Sequence, residues 1–517
     1  MMKDPYVLGI DFGTESVRVG IFTPDGTPII FRRKAYRLNH PRPGWAEQSP
    51  DEWWQALQTA VRQALAESKV PPEAIVGIGT DTTSCTVLAL DKNYRPLRPA
   101  ILWMDMRAAE QSMRIAASGH PALKYNGYGA VSAEWMPCKA LWLKENEPEV
   151  YHQAARICEC ADWLTYRLTG RWTANINTAA IRCYHDRNLG GWQGDFFEKI
   201  GLGDLLEKLP SEVLDLGTVV GGLRKEAAEH LGLPAGIPVA EGGADAYTAQ
   251  IGLDVVSPGK LAFYTGSSHL LLGQSANELH FKGIWGAYTD CVIPGQYTVE
   301  TGQTSSGSIM KWFKDQFCNQ WTQEAESREV DTYEILNEQA AQIPRGSEGL
   351  IILDHWQGNR SPYTDAHSRG MIWGFSLRHT PAHVARAIME GVAYGSEQNL
   401  QVLRENGFDT KEIVICGGVV NSPLWMQIHA DISNVPITIT KVSEASTLGS
   451  AVLGAVGAKL YPSVPEATNA MVHTERQIEP NPEAHDTYRY YFESYTQTYP
   501  AMKELMHGMV THVAGRN

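Results

Sequence analysis

Two apolar runs, Val7-Leu8-Gly9-Ile10 and Val17-Arg18-Val19-Gly20-Ile21-Phe22, flank a polar tip, Asp11-Phe12-Gly13-Thr14-Glu15-Ser16. Short runs bounded by glycine and hydroxyl residues predict a strand, a tight turn and a second strand. Asp25-Gly26 marks the next turn, and Ile29-Ile30-Phe31 the third strand of the set. The period then lengthens. Ser49-Pro50-Asp51-Glu52 has the order of a helix start: a cap, proline at the first helical position, and glutamate in the first turn. Trp53, Leu57, Val61 and Leu65 continue it as one apolar face, Pro71-Pro72 ends it, and Ile75-Val76-Gly77-Ile78-Gly79 reads as a buried strand. Strand, helix and strand in alternation predict α/β layers with a largely covered sheet.

From about 130 to 235 the pattern is richer in helix and turn, with Asp162–Leu168 as part of a helix that ends at Gly170. Ile237-Pro238-Val239-Ala240 returns to strand and runs into Glu241-Gly242-Gly243-Ala244-Asp245. Leu253 to Gly259, closing on Pro258-Gly259, predicts the division between two domains, 1–256 and 257–517. Beyond it Leu261-Ala262-Phe263-Tyr264, then Thr265-Gly266-Ser267-Ser268, then His269-Leu270-Leu271-Leu272 repeat the opening architecture, though not its letters. Thr380-Pro381 opens a long helix carrying Val384, Ile388, Glu390 and Val392. Glu412–Cys416 is a strand entering Gly417-Gly418, and Ser422-Pro423 starts the helix after it. Leu448–Ala455 is a small-residue helix suited to close packing beside a flat ligand or another helix.

A chain of 517 residues is too long for one core, which agrees with two domains. Hydrophobic residues at 43% and charged residues at 20% are an ordinary globular balance. The net charge of -14 argues against a broad nucleic-acid surface but leaves room for an anion in a local pocket. No stretch approaches the length that spans a bilayer, and the start carries no apolar secretory segment, so a cytoplasmic protein is expected. The eight cysteines lack CxxC spacing and read as buried free thiols of a reducing compartment.

Turn amides at the first tip, with Thr14 and Ser16, can donate to phosphate oxygens, and Asp11 can hold magnesium directly or through water. Taken alone the tip is equally a plain turn. Two such tips make a clamp for a polyphosphate, and Gly417-Gly418 before a helix offers an open surface for an adenine ring. Other nucleotide signatures are absent: Gly252 to Lys260 has the wrong spacing for a P-loop, and Gly77-Ile78-Gly79 lacks a third glycine. There is no HExxH and no paired CxxC, so a zinc enzyme has little support.

Taken together, these segments resemble the FGGY family of carbohydrate kinases over nearly the whole chain. Asp11-Phe12-Gly13-Thr14 is similar to its first phosphate loop, Ile101–Arg107 to its LWxDxR segment, and Gly242–Ala246 to the segment with its catalytic aspartate. Tyr264-Thr265-Gly266-Ser267 resembles the second phosphate loop, and Gly370–Gly374 through Glu390 resembles a family signature, with Phe375 replacing an aliphatic residue. Gly417-Gly418 with Ser422-Pro423-Leu424-Trp425 resembles the adenosine motif, although Val419 and Asn421 replace a glycine and a basic residue. Within the family the chain is most similar to ribulokinase-like pentulose kinases. Asp81-Thr82-Thr83-Ser84-Cys85-Thr86, Glu134-Trp135, Ala161-Asp162-Trp163, Val299–Gln303 and Trp356–Pro362 carry that likeness.

The resemblance implies two actin-like (ribonuclease H-like) α/β domains, mixed sheets flanked by helices, with ATP and sugar in the cleft between them. It implies ATP-dependent phosphorylation of a sugar hydroxyl, on a ketopentose such as ribulose, with Asp245 as general base. Sugar contacts carry over to Ser84, Asp245, Glu300 and Arg182, the last replacing a ribulokinase lysine. Nucleotide contacts carry over to Asp11, Gly13, Thr14, Ser16, Thr265, Gly266, Ser267, Gln303, Gly417, Gly418 and Ser422. Magnesium falls to Asp11 and, through water, Asp245. The partners implied are a small sugar and a homodimer mate, with no nucleic acid and no membrane. Asp245 as a loop cap, Glu300 and Arg182 as a structural ion pair, and Ser84 as a buried strand hydroxyl stay open as plainer roles. Trp53, Trp54, Trp103 and Trp135 are expected in the core rather than as sugar platforms. A kinase of another ketose or polyol (xylulose, tetrulose or erythritol type) and an actin-like ATP switch protein are the alternatives.

Overall fold

In the computed structural model, which describes residues 4–129 and 131–514, the opening pattern becomes an antiparallel meander of β1 (Tyr6–Phe12), β2 (Ser16–Phe22) and β3 (Pro28–Ala35). Helix α1 (Pro50–Ser68) buries Trp53, Leu57 and Val61, the apolar face read from their fourfold spacing. Ser49 sits at its N-cap with extended backbone, but the hydroxyl makes no cap bond, and Glu52 accepts instead from the Arg37 N–H at 3.3 Å. Strand β4 (Ile75–Thr82) then lies parallel to β1.

The helical stretch that follows supplies α2 (Met136–Asn146), α3 (Cys160–Thr169), which stops at left-handed Gly170, and α4 (Ile176–Cys183). The chain re-enters the sheet as β5 (Val219–Gly222), β6 (Pro238–Ala240) and β7 (Gly243–Ala244), and leaves as α5 (Asp245–Gly252). The sheet order is β5-β6-β4-β1-β2-β3, with β7 also paired to β4.

The second half repeats this plan. Its strands are β8 (Lys260–Thr265), β9 (His269–Ser275), β10 (Trp285–Thr289) and β11 (Tyr297–Gln303). Helices α6 (Gly307–Phe317), α7 (Thr332–Ala341) and α8 (Pro381–Glu405) precede β12 (Glu412–Gly417). Then come α9 (Pro423–Ser433), β13 (Ile437–Thr440), α10 (Ala445–Gly457) and β14 (Thr474–Ile478). The order β11-β9-β8-β12-β13-β14 matches β3-β2-β1-β4-β6-β5, with β10 added at one edge. In each half a central strand pairs antiparallel with the next strand and parallel with a later one, and the far edge strand is antiparallel. The repeat seen faintly at the two hairpins is thus a repeat of whole sheets.

One helix crosses this division. Helix α10 comes from the second half but packs its Leu448, Ala451, Val452 and Leu453 into the core of the first, beside α5, β4 and β1. Glycines allow the approach: a Cβ on Gly79 would stand 1.8 Å from the Ser450 carbonyl oxygen, and one on Gly449 would stand 1.9 Å from that of Thr248. Such contacts cannot relax without moving backbone. Gly449→Ala is therefore expected to destabilise the protein by about 1–3 kcal/mol, read as a lower denaturation midpoint. Thr248 lies on the helix that begins at Asp245, so the same substitution should displace that aspartate.

Candidate active site

Strand pairing decides where the acids meet. Asp11 on β1 is in register with Asp81 on β4, and Asp81 with Gly243 on β7, so Asp245 follows at the same edge. These strands are mutually parallel, and their carboxyl ends carry all three carboxylates at one end of the sheet. Asp11 is 2% exposed and accepts from Arg18 Nη1 at 3.2 Å. Asp81 is fully buried. Ser450 on α10 donates to its Oδ2 at 2.5 Å, and its Oδ1 has no partner among the described residues. Asp245 is half-buried at the start of α5, where it accepts from the Ala246 N–H at 2.8 Å. Burial, reinforced by the charge of Asp11, lifts the Asp245 carboxyl to about 7. The same two causes push Asp81 well above the usual carboxylate range, and burial also raises Asp11 against the pull of Arg18. Asp81 was visible in the sequence only as part of a motif. Its membership of the acid cluster comes from a register that no local pattern reports.

The first hairpin tip is held from behind. Gly13 N–H donates to the Ser16 carbonyl at 3.1 Å, and Tyr36 donates its hydroxyl to the Gly13 carbonyl. Gln48 Nε2 donates to the Thr14 carbonyl at 2.7 Å, and Trp103 Nε1 donates to Thr14 Oγ1 at 2.9 Å. Gly13 and Thr14 stay half-buried at the tip. Ser16 does not join them: it is 2% exposed in β2, and its hydroxyl accepts from Arg33 Nε at 2.6 Å. Its expected place at a phosphate is therefore corrected to a bond between strands.

The second tip borders a cavity of about 1050 Å³ lined by Thr265, Gly266, Ser267, Gly418 and Ser422, among others. Thr265 Oγ1 donates to the Cys416 carbonyl at 2.7 Å and accepts from the Val419 N–H at 3.1 Å, which ties tip to glycine turn. Gly417 has φ +95, and a Cβ there would lie 2.0 Å from the Thr265 carbonyl oxygen, so glycine is required for the backbones to meet. Ser422 caps α9, accepting from the Trp425 N–H at 3.2 Å, and donates to Asn337 Oδ1 at 2.6 Å. Asn421 of the adenosine motif extends the lining, as do Trp312 and Tyr333, which no sequence motif assigned to a nucleotide. Gln303 is elsewhere. Its Nε2 donates to Asp354 Oδ2 at 2.7 Å and the Val392 carbonyl at 2.9 Å, its Oε1 accepts from Ser396 at 2.7 Å, and it is 3% exposed. With its amide spent in the core, it does not face the cavity.

Arg182 on α4 and Glu300 on β11 meet as a buried ion pair, the single nitrogen Nη2 lying 3.0 and 2.9 Å from the two carboxylate oxygens. Arg182 Nη1 donates to the Tyr288 hydroxyl at 2.9 Å, and the Tyr247 hydroxyl donates to Glu300 Oε2 at 2.6 Å. Trp135 and Trp285 stand at 5.3 and 5.2 Å from the guanidinium. Burial works against Glu300 as an ion, but Arg182 and then Arg360 hold its carboxyl below the usual range. Tyr247 is two residues past Asp245, so the ion pair is tied to the helix that carries the aspartate. Ser84 is half-buried in the turn beyond Asp81, beside a Thr83–Thr86 hydroxyl contact of 2.8 Å. Buried Lys139 grips that turn, donating to the carbonyls of Cys85 and Leu102, each at 2.6 Å. All eight cysteines are free, and no described helix is long and apolar enough to cross a membrane.

Residues 6–252 match the model of the FGGY family of carbohydrate kinases, N-terminal domain, and residues 261–458 match that of the C-terminal domain. The whole chain is 33% identical to a ribulokinase of Geobacillus thermodenitrificans, covering 99% of it. It is 31% identical to an FGGY carbohydrate kinase domain-containing protein of Xenopus laevis, with 95% of each chain covered. Among solved structures, a xylulose kinase from Rhodospirillum rubrum superimposes with a TM-score of 0.87 at 25% identity, covering 97% of this chain and 100% of that one.

Proposed function

The chain belongs to the FGGY family of carbohydrate kinases and is an ATP-dependent sugar kinase, and on that premise we propose that it phosphorylates a ketopentose such as ribulose with Asp245 as general base. The observation that carries the role of Asp245 is its place at the end of three parallel strands, half-buried, with a carboxyl lifted to about 7. A base of that strength is half ionised near neutral pH, where it can take a proton without being permanently protonated.

In this reading the sugar hydroxyl lies against Asp245. Its oxygen attacks the γ-phosphorus as Asp245 takes its proton. The new O–P bond forms as the bond to the bridging β,γ-oxygen breaks, and ADP leaves with that electron pair. Positioning and charge neutralisation do most of the work in such transfers. The Thr14 hydroxyl and the backbone amides of Thr14 and Ser267, which lie beside the bonded amides of Gly13 and Gly266, hold phosphate oxygens from the two sides. The cavity between α6, α7 and α9 is large enough for a nucleoside and carries aromatic and amide groups for its base. Magnesium takes oxygen ligands, and Asp11, with Asp245 through water, would hold it at the end of the strands. Bound magnesium supplies neutralisation of the transferred group. Ser84, Arg182 and Glu300 orient the sugar, and closure of the cleft keeps water from the γ-phosphate. The free thiols support a cytoplasmic location.

The test is ADP release from Mg-ATP against both enantiomers of ribulose and xylulose, with aldoses, polyols and a no-sugar control. Stimulation by one ribulose enantiomer is expected. ADP release that ignores every sugar would sink the reading. Arg182 raises another ketose such as xylulose, or a polyol, as a second substrate, since a planar fork replaces a point charge. Arg182→Lys is expected to shift the ratio of kcat/KM values between ribulose and xylulose by roughly 10-fold or more, in the range set by one pocket contact.

A further inference from the structure

Thr14 sits at the tip of the first hairpin, and one contact restricts how its hydroxyl can turn. Trp103 Nε1 lies 2.9 Å from Thr14 Oγ1. An indole N–H can only donate, so this contact uses an acceptor site of the hydroxyl and leaves the hydroxyl hydrogen to point away from the tryptophan. The backbone of Thr14 is committed as well, its carbonyl accepting from Gln48, whose own Oε1 accepts from Trp53 Nε1 at 2.9 Å. Rotation of the tip as a whole is thereby blocked.

Trp103 is itself firmly seated. Lys139, fully buried, reaches the Leu102 carbonyl at 2.6 Å and that of Trp103 at 3.4 Å, as well as the Cys85 carbonyl beside Ser84. Two residues on, Asp105 accepts from the Ala46 N–H at 2.6 Å and from Arg107. The indole is therefore a fixed donor on a rigid segment, and that segment is shared with the turn on the sugar side.

We propose that Trp103 is a positioning residue: its indole N–H occupies one acceptor site of the Thr14 hydroxyl and so biases this hydroxyl to meet the cleft as a hydrogen-bond donor. A preset donor suits a terminal phosphoryl oxygen, which accepts only. Without the indole the hydroxyl turns freely and must be reoriented each time the phosphate arrives. The inference rests on the kinase reading for the identity of the anion, not for the geometry.

The test is a double-mutant cycle of Trp103→Phe and Thr14→Val. Phenylalanine keeps an aromatic ring in place and removes the N–H, so an unchanged melting temperature is expected. Two readouts are taken: the affinity for ATP relative to ADP without sugar, and sugar-dependent turnover. Thr14→Val should lower turnover by about 100-fold, as loss of a preorganised donor does elsewhere. Trp103→Phe should lower turnover and the preference for ATP by about 3–10-fold, the worth of one hydrogen bond. In the Thr14→Val background Trp103→Phe should have no further effect, and with Thr14→Ser its effect should persist. Equal losses in both backgrounds, or no loss from Trp103→Phe alone, would overturn the proposal. Coupled losses in ATP preference without turnover on any sugar would keep it and remove the kinase reading instead.

Discussion

Asp245→Asn retains ATP and sugar but loses transfer, with kcat falling by about 10²–10⁴-fold, the range that a positioned base contributes. The amide keeps the size of the carboxylate and can still accept from the Ala246 N–H, so α5 should start as before. What it cannot do is accept the hydroxyl proton. The pH profile makes a sharper statement. Burial and the neighbouring Asp11 bring this carboxyl to about 7. A base works in its ionised form, so kcat/KM should rise with pH through about 7 and fall below it as Asp245 protonates. In Asp245→Asn that acid limb should vanish from the residual rate. A variant with near-normal turnover, or one that keeps the acid limb, would assign the base elsewhere. The same environment has a second effect. A carboxyl whose folded value lies above its unfolded one weakens the folded state as pH rises through the folded value. Asp245→Asn removes that burden and should melt higher than the parent at pH 8, by a margin that shrinks as the pH falls toward the ordinary carboxyl value of about 4.

Arg182→Met is expected to cost about 3–5 kcal/mol of stability, because it leaves Glu300 buried without its partner. Glu300 is 2% exposed, and the ion pair is its main neutralising contact. With the guanidinium gone, the carboxyl must protonate at neutral pH or draw in water, since the more weakly acting Arg360 and the Tyr247 hydroxyl do not replace the direct ion pair. The check is the urea midpoint of the single variant beside Arg182→Met with Glu300→Leu. Removing both charges should recover much of the loss, since buried pairs are often no better than apolar packing. Both variants should lose sugar affinity while keeping ATP affinity. Recovery of stability together with sugar affinity would reduce the pair to a structural strut.

The hairpin tips were legible because period-two runs broken by glycine and hydroxyl residues have few other solutions. The acid cluster was half legible: Asp11 and Asp245 stood out at strand ends, whereas Asp81 needed the parallel pairing of β4 with both neighbours. Gln303 could have been read correctly from alternation. It lies three residues from Glu300 on one strand, so the two side chains point to opposite faces, one to the ion pair and one to the core. Ser16 was less accessible, because its partner Arg33 comes from β3 and is set by hairpin register. The small residues of α10 announced close packing, but not that the groove awaiting them was cut by Gly9, Gly77 and Gly79 far upstream.

That crossing has a consequence for how the protein is made. The first sheet is complete as strands by Ala244, yet the helix that covers its glycine groove is synthesised about 200 residues later. At ribosomal rates of roughly 5–20 residues per second, the nascent first half waits on the order of 10–40 s with that face bare. The groove is a fixed surface for a helix before the native helix exists. A nascent chain arrested before Ala445 should therefore be a ready client for holdase chaperones, and should be released from them once Gly457 has left the ribosome.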